Sequence, residues 1–200
     1  MKFAPELFVR YLISPGDAST TNFLSFKEEF LTTVELGVAA GVSLIQIREK
    51  AITTKQLFEL SAAAAKITAN TETKLLINTR ADVAQGANAD GVHLPEDGLA
   101  IEVVRRTFSD LIIGSSVHSV EGAVEAKDAD FLLFGPVFDS GEKKGVGLEK
   151  LKEVIAAVQT PVLAVGGIDE TNFLQVLDVG AKGFAAIRYL NDHATLEKLR

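Results

Sequence analysis

The stretch Leu44-Ile-Gln-Ile-Arg-Glu-Lys50 has the length and apolar content of a buried strand, with polar side chains towards its end. Side chains alternate between the two faces of a strand, so Gln46, Arg48 and Lys50 share one face and the two isoleucines share the other. Burying unpaired charge is expensive. This strand therefore predicts both a unit of a buried sheet and an anionic ligand at its end.

A helix candidate and a second apolar strand follow this stretch, and the alternation continues along the chain. The strand candidates are 8–13, 44–48, 74–78, 91–94, 111–115, 131–134, 161–165 and 183–187. The helix candidates are 23–40, 54–68, 81–87, 99–108, 120–126, 149–158, 171–179 and 191–200. Almost continuous apolar character is typical of parallel strands that are covered on both faces. Eight such pairs predict an α/β protein, a single (β/α)8 TIM barrel in which residues 1–200 form one domain.

An open, doubly wound sheet is the alternative architecture. It would contain fewer strand–helix units and a glycine fingerprint after the first strand, where this chain has Ser14-Pro-Gly16. Helix start signals support the boundaries, with Thr53-Thr54 before the second helix and Asp169 or Thr171 before the seventh.

Composition excludes several classes of protein and partner. The chain has 200 residues, 47% of them hydrophobic, and a formal net charge of −7, with a mean hydropathy of +0.21 and a pI near 5.0. This acidic balance argues against nucleic acid or an anionic membrane as a partner, whereas a homo-oligomer is compatible with it. The absence of cysteine excludes disulfides and thiolate metal sites. No long apolar run follows Met1-Lys-Phe-Ala-Pro-Glu6, so we expect no signal peptide, no membrane span and a cytoplasmic location.

Polar residues collect after the predicted strands, where TIM barrels place their chemistry. Besides Gln46, Arg48 and Lys50, they are Asn78, Arg80, His93, Ser115, Ser116, His118, Ser140, Lys143, Lys144 and Arg188. The cations among them, in an acidic chain, predict a phosphate or pyrophosphate ligand.

Two glycine-containing segments have both a binding and a structural interpretation. Gly166-Gly167, followed by a helix start, would offer backbone N–H groups to a phosphate or form only a tight turn. The loop from Gly141 to Gly145 is either a solvated loop or a flap that brings Lys143 over a ligand.

The three histidines have different expected roles. His93 is predicted to lie in the core and His193 on the surface. His118 shares strand parity with Ser116 and lies just past the predicted strand end, where an imidazole can move protons near pH 7. We therefore predict that His118 is catalytic.

The ordered set of motifs resembles a known family, thiamine phosphate synthase and its relative thiazole tautomerase. The matching stretches are Gln46-Ile-Arg-Glu-Lys50, Leu76-Ile-Asn-Thr-Arg80, Ala89-Asp-Gly-Val-His-Leu94, Ile113-Gly-Ser-Ser-Val-His-Ser119, Phe134-Gly-Pro-Val-Phe138 with Lys143, and Ala164-Val-Gly-Gly-Ile168. The resemblance implies a (β/α)8 barrel, pyrophosphate contacts at Gln46, Arg48, Lys50 and Asn78, and substrate contacts at Ser116, Ser140 and Lys143. It also implies that the backbone at Gly167 holds the phosphate of a thiazole.

The chain departs from the family pattern where synthases hold Mg²⁺. Their aspartate after the strand-three asparagine is Thr79 here, and ungapped matching puts Gly98 at the second aspartate. Asp97 or Glu96 could replace one carboxylate, which leaves the metal site incomplete. Glu142 and Arg188 also stand where a hydroxyl residue and a small residue are usual.

These departures favour a metal-independent thiazole tautomerase, in which His118 moves a proton to aromatise a thiazole carboxylate phosphate. No cofactor is then expected. The alternative is thiamine phosphate synthase, which joins hydroxymethylpyrimidine pyrophosphate to thiazole phosphate and would use Mg²⁺ to expel pyrophosphate. Gln46 and Lys50 favour this alternative. Another phosphosugar barrel enzyme and a noncatalytic binder of thiazole or thiamine phosphate are further alternatives.

Overall fold

Eight strands form a closed barrel in a computed structural model that describes residues 8–200. The strands are β1 (Val9–Ile13), β2 (Leu44–Ile47), β3 (Lys74–Asn78), β4 (Gly91–Leu94), β5 (Ile112–Val117), β6 (Phe131–Phe134), β7 (Val162–Val165) and β8 (Gly183–Ala186). Neighbouring strands follow chain order, and β1–β2, β2–β3, β5–β6, β6–β7 and β7–β8 pair in parallel. The predicted (β/α)8 TIM barrel is confirmed.

Helices alternate with the strands along the chain. They are α1 (Phe23–Ala39), α2 (Thr54–Thr68), α3 (Ala81–Gly86), α4 (Ile101–Thr107), α5 (Val120–Glu125), α6 (Leu148–Ala157), α7 (Phe173–Asp178), α8 (Arg188–Asn191) and α9 (His193–Lys198). Within residues 8–200, none of them is long and apolar enough to cross a membrane. The N-terminal stretch 1–7, for which the sequence predicts no signal peptide, lies outside the described residues.

Three predicted boundaries are wrong in ways that affect the site. Strand β2 ends at Ile47, so Arg48 already lies beyond it. Helix α7 begins at Phe173 and not at Thr171, because the preceding residues form a turn. The predicted last helix is divided in two at Asp192, whose ψ of 116° is not helical and whose carboxylate caps α9 by accepting a hydrogen bond from the Thr195 N–H.

The described residues divide into two compact units. The β5–β8 unit contains residues 8–10 and His93–Ala186, and the β1–β3 unit contains Tyr11–Val92 and Ile187–Arg200. The prediction that the chain forms one domain stays a prediction.

The β1–β3 unit has an aliphatic core between its strands and helices. Leu44, Ile45 and Ile47 of β2 and Leu75 and Ile77 of β3 are fully buried, in a register that places Leu44 opposite Lys74. Helix α2 packs against both α1 and α3. Side chains on both faces of β2 are buried, so packing constrains the residue types from Leu44 to Ile47. Charged side chains with access to solvent occur only after the strand ends.

The β5–β8 unit is built around aromatic side chains of β6. Phe131 and Phe134 are fully buried. The ring of Phe131 lies against Gly114 of β5, where an added Cβ would come within 2.3 Å of the ring. Gly114 therefore makes room for the ring that fills this part of the core.

Helix α2 begins at the start signal that the sequence predicts, and the structure shows that Thr53 and Gln56 form a capping box there. The Thr53 hydroxyl accepts a hydrogen bond from the Gln56 N–H at 3.2 Å, and the Gln56 side-chain oxygen accepts one from the Thr53 N–H at 3.0 Å. Two backbone donors that the helix leaves unpaired are thus satisfied.

Thr53→Ala should lower the free energy of unfolding by about 1 kcal/mol, the usual cost of losing such a cap. Thr53→Ser is the matched control, because it keeps the hydroxyl oxygen and should leave stability nearly unchanged. Urea denaturation of the two variants and the wild-type protein measures both effects. Equal losses in the two variants would show that the hydroxyl is not the stabilising group.

Candidate functional site

Gln46 lies inside the β1–β3 unit and has a protein partner. Its side chain is 1% exposed, and its amide donates a hydrogen bond to the Tyr11 hydroxyl. Burial raises the pKa of Tyr11, so this hydroxyl stays neutral. Gln46 therefore differs in burial from the two cations that follow it, since Arg48 is half-buried and Lys50 is exposed. The expectation that strand alternation continues through all three residues is wrong, because the strand ends at Ile47.

Glu49 anchors the chain between these two cations. Its buried carboxylate accepts hydrogen bonds from the Ser14 hydroxyl at 2.5 Å, the Gly16 N–H at 2.9 Å and the Ala18 N–H at 2.8 Å. The Ser14 hydroxyl oxygen in turn accepts a bond from the Arg48 N–H at 2.8 Å. The loop after β1 and the end of β2 are thus tied together, which fixes the backbone that presents Arg48 and Lys50.

A cavity of about 290 Å³ lies between the ends of β2 and β3. Lys50, Asn78 and Arg80 line it, so the structure brings together two of the predicted pyrophosphate contacts. A hollow of about 690 Å³ between the first turns of α1 and α2 is larger but contains none of the predicted site residues. The smaller cavity is the better candidate for a ligand because of its lining.

Arg80 is not available as a free cation in this cavity. Its guanidinium donates to both carboxylate oxygens of Asp82, at 2.8 and 2.6 Å, and to the Thr54 hydroxyl at 3.0 Å. The hydrogen bonds from Arg80 lower the pKa of the Asp82 carboxyl. By contrast, Arg48, Lys50 and Arg188 form no ion pair with another residue of the described chain.

The sequence predicts that Arg188 lies at the end of the eighth strand. In the structure it instead begins the short helix α8. The Asn191 side chain ties this helix to the end of β1 by donating to the Ile13 carbonyl at 2.8 Å. Arg188 is exposed. Within the β1–β3 unit it therefore stands on a helix that is anchored at a strand end.

Ser116 of β5 is paired with His93 of β4. The Ser116 hydroxyl and the His93 Nε2 are 2.8 Å apart, and His93 is 3% exposed. The core position predicted for His93 is confirmed. Its link to Ser116, which sequence reasoning missed, holds a predicted substrate contact in a defined position.

His118 lies one residue past the end of β5 and is bound to Glu96. The His118 Nδ1 is 2.7 Å from one carboxylate oxygen, and the other oxygen accepts a hydrogen bond from the His118 N–H at 3.2 Å. The side chains are 60% and 38% exposed, so a ligand can reach the pair. A solvent-exposed pair of this kind adds little to stability. Its value would lie in orienting the imidazole.

Gly166 and Gly167 form a tight turn after β7. Their φ values are 100° and 63°, and a Cβ at either position would lie 2.4 Å from Pro136 or from the Asp139 carbonyl oxygen. The Gly167 carbonyl accepts a hydrogen bond from the Asn172 side chain at 2.8 Å. Packing alone thus requires both glycines, and their role in phosphate binding stays a prediction.

A turn from Asp169 to Thr171 lies where the sequence predicts the start of the seventh helix. The Asp169 carboxylate accepts bonds from the Thr171 hydroxyl at 2.6 Å and from the Thr171 N–H at 2.9 Å. These two bonds lower the pKa of Asp169. The Thr171 N–H, which lies between Gly166-Gly167 and α7, is therefore already bound by a carboxylate of the protein.

The loop after β6 is closed at its base and exposed at its tip. The Asp139 carboxylate accepts a hydrogen bond from the Gly145 N–H at 2.8 Å, and the Ser140 N–H donates to the Lys143 carbonyl at 2.9 Å. Lys143 and Lys144 are exposed. Ser140 and Lys143, two predicted substrate contacts, are thus neighbours in one turn.

Comparison with known proteins identifies the family. The family model for thiamine monophosphate synthase matches residues 11–190. The chain belongs to this family.

Relatives cover most of the chain. Thiamine-phosphate synthase from Pyrococcus horikoshii is 39% identical over 162 residues, which are 78% of this chain and 78% of the relative. Thiamine-phosphate synthase from Desulfitobacterium hafniense is 35% identical over 175 residues, 84% of each chain. The solved structure of thiamine phosphate pyrophosphorylase from Pyrococcus furiosus superposes with a TM-score of 0.80 at 30% identity, covering 96% of this chain and 95% of that one. The family that the motifs resembled is confirmed, and these names belong to the synthase rather than the tautomerase.

The Mg²⁺ that the thiamine monophosphate synthase resemblance implies does not fit the residues present. Thr79 has no carboxylate, and a Cβ at Gly98 would lie 2.9 Å from Pro95, so the second position has no room for a side chain without a shift. Glu96 is already bound to an imidazole, which leaves Asp97 alone. Residues 8–200 contain no group of three or more His, Asp or Glu side chains placed to hold a metal ion.

The backbone at Thr79 nevertheless has a conformation that suits aspartate, the residue that the family resemblance implies at this position. Thr79 has a φ of 61° and is the centre of a three-residue turn closed by a hydrogen bond from the Arg80 N–H to the Asn78 carbonyl at 2.8 Å. Aspartate and asparagine tolerate this conformation better than a β-branched residue. The backbone of this turn would therefore accommodate an aspartate, but the residue present has no carboxylate.

Sequence reasoning missed three partners in these sites. Glu49 and His93 hold predicted site residues, and Glu96 was considered only as a metal ligand. The motif Gln46–Lys50 contained a signal for Glu49, because an acidic residue between two cations on a buried strand needs hydrogen-bond donors. No sequence signal pairs Glu96 with His118, since 22 residues separate them.

Glu49→Gln should lower the free energy of unfolding by about 1–3 kcal/mol, because one acceptor oxygen becomes an NH₂ group facing buried N–H donors. It should also weaken binding of pyrophosphate, since the backbone of Arg48 and Lys50 loses its anchor. Chemical denaturation and calorimetry with pyrophosphate measure the two effects. Glu72→Gln, at an exposed position of the same unit, is the control, and a Glu49→Gln protein as stable as this control would contradict the anchoring role.

Proposed function

We propose that this protein is a thiazole tautomerase, an isomerase of thiamine biosynthesis that aromatises a thiazole carboxylate phosphate. The observation that carries the proposal is the Glu96–His118 pair, an accessible imidazole with a carboxylate 2.7 Å from its Nδ1. A positioned imidazole of this kind is a common proton carrier in enzymes.

The reaction balances within the substrate. His118 Nε2 takes the proton from one ring carbon, and the electron pair of the broken C–H bond moves through the ring to the exocyclic carbon. That carbon then receives a proton from the imidazolium. No electrons, groups or cofactors are exchanged with another molecule, so one histidine suffices for the chemistry.

The remaining residues of the β5–β8 unit have supporting roles in this proposal. The Ser116 hydroxyl lies 2.8 Å from the His93 Nε2, and in this proposal it would contact the substrate beside His118. Gly167 would bind the phosphate through its backbone, and Lys143 on the exposed loop would neutralise the charge of the phosphate.

The second candidate function is the synthase reaction, which couples hydroxymethylpyrimidine pyrophosphate to thiazole phosphate. The names of the relatives support it more than they support the tautomerase. Lys50 and Asn78 also line one cavity, where a pyrophosphate would find the unpaired ammonium of Lys50. Against it stands the missing pair of carboxylates, since Thr79 and Gly98 occupy their positions.

His118→Asn should lower the rate of tautomerisation by about 10²–10⁴-fold, because it removes the general acid–base group. Affinity for the aromatic thiazole phosphate product should change little, since the substitution keeps a polar side chain and leaves the phosphate contacts intact. Turnover is followed by the ultraviolet absorbance of the aromatic ring and binding by calorimetry.

The comparison of rate and affinity decides the role of His118. Full turnover in His118→Asn would assign the proton transfer to another group. Equal losses of affinity and turnover would make His118 a contact residue and not a base. His193→Asn, on α9 of the other unit, is the matched control and should keep its activity.

Mg²⁺ separates the two candidate functions. We expect the purified protein to aromatise the thiazole substrate equally well with Mg²⁺ and with EDTA, and to form little thiamine phosphate from the two synthase substrates. Product analysis by liquid chromatography measures both reactions. Robust thiamine phosphate formation that EDTA abolishes would show that the protein is a synthase, with Asp97 the first residue to replace in the search for its metal ligand.

A further inference from the structure

We propose that Glu96 is a positioning residue for His118, which fixes the imidazole as the tautomer with a proton on Nδ1 and a free electron pair on Nε2. The inference deepens the proposed function and depends on it for the role of His118. It adds a residue that the motifs of the family do not assign, and it explains a glycine in α5.

The hydrogen bonds determine the tautomer. An ionised carboxylate has only acceptors, so the contact of 2.7 Å between the carboxylate and Nδ1 requires the proton to be on Nδ1. In a neutral imidazole the other nitrogen then carries the electron pair. Nε2 is therefore the atom that can accept a proton from a substrate.

The second carboxylate oxygen holds the same residue through its backbone. It accepts a hydrogen bond from the His118 N–H at 3.2 Å. Glu96 thus grips both the ring and the main chain of His118, which restricts rotation of the side chain at the end of β5. Without this grip, an imidazole that is 60% exposed would sample several rotamers.

Gly122 leaves the space that the Glu96 carboxylate occupies. A Cβ added at Gly122 would lie 2.1 Å from a carboxylate oxygen of Glu96. Gly122 is inside α5, where alanine would favour the helix more than glycine does. An alanine at this position would favour the helix, but its methyl group would force the end of the Glu96 side chain to move from its place beside His118.

The first turn of α5 fixes this space relative to His118. The Ser119 hydroxyl accepts a hydrogen bond from the Gly122 N–H at 3.0 Å. Since Ser119 directly follows His118, this hydrogen bond ties Gly122 to the residue next to the imidazole. Glu96, from the loop after β4, closes the arrangement from the other side.

The tautomer can be measured directly. The chain has only three histidines, so long-range ¹H–¹⁵N correlation spectra of protein labelled on the imidazole nitrogens are simple, and His118→Asn identifies the signals of His118. At a pH above the range in which histidine titrates, we expect wild-type His118 to be protonated on Nδ1. Glu96→Ala should shift it towards protonation on Nε2, the form that imidazole favours in water.

Three further variants separate positioning from other effects. Gly122→Ala should shift the tautomer as Glu96→Ala does, because the added methyl group displaces the carboxylate. Glu96→Gln should keep much of the Nδ1 tautomer, since its amide oxygen still accepts the hydrogen bond. Glu125→Ala, at an exposed position of the same helix, removes a charge without touching His118 and should leave the spectrum unchanged.

Activity is the second measurement. Glu96→Ala and Gly122→Ala should lower kcat of tautomerisation by about 10–100-fold, the usual effect of losing such a supporting partner, with a small change in KM. Glu96→Gln should restore part of the loss. The double variant should be no slower than Glu96→Ala alone, because both changes remove one interaction.

The outcomes distinguish failure of this inference from failure of the proposed function. An unchanged His118 tautomer in Glu96→Ala, or an unchanged kcat despite a shifted tautomer, overturns the positioning role. If the tautomer shifts in Glu96→Ala but the wild-type protein shows no turnover of the thiazole substrate, the Glu96–His118 contact is upheld and the tautomerase proposal is overturned.

Discussion

The buried carboxylate of Glu49 is the interaction on which the cationic part of the site depends. Three hydrogen-bond donors from the loop after β1 converge on it, and burying an ionised carboxylate is tolerable only with such donors. Because Glu49 points into the protein, its neighbours Arg48 and Lys50 remain outside the strand core. The strand end therefore presents Arg48 and Lys50 to solvent or a ligand, while the acidic side chain between them is buried and hydrogen-bonded.

The two units carry different kinds of chemistry. The β1–β3 unit contains the cations and the cavity beside Asn78, which suit an anion. The β5–β8 unit contains the histidine that can move protons, with Glu96 and Ser116 near it. In the proposed function the β1–β3 unit would bind an anion and the β5–β8 unit would move a proton, and a metal ligand would be needed only for the synthase reaction. Thr79 and Gly98, which carry no carboxylate, are for this reason the positions that bear most on the proposed function.

Relatives at 35–39% identity establish the family. Which reaction the protein catalyses depends on a few individual residues of the site. The turn at Thr79 has a positive φ of 61°, a backbone conformation that aspartate or asparagine adopts more readily than threonine. Backbone geometry depends on many contacts, whereas a metal ligand depends on one side chain. The two features can therefore change independently in a family.

The sequence by itself determined the barrel, the order of its strands and helices, and the identity of the family. Apolar runs of four to six residues between amphipathic helices leave few architectures, and the order of short motifs such as Gln46–Lys50 is local information. Tertiary structure alone decided the partners of the site residues. It joined Glu96 to His118 across 22 residues, Gln46 to Tyr11 across 35 residues and Arg80 to Thr54 across 26 residues. Hydrogen-bond partners distant in sequence are set by the packing of whole strands and loops, and no local pattern of residues carries that information.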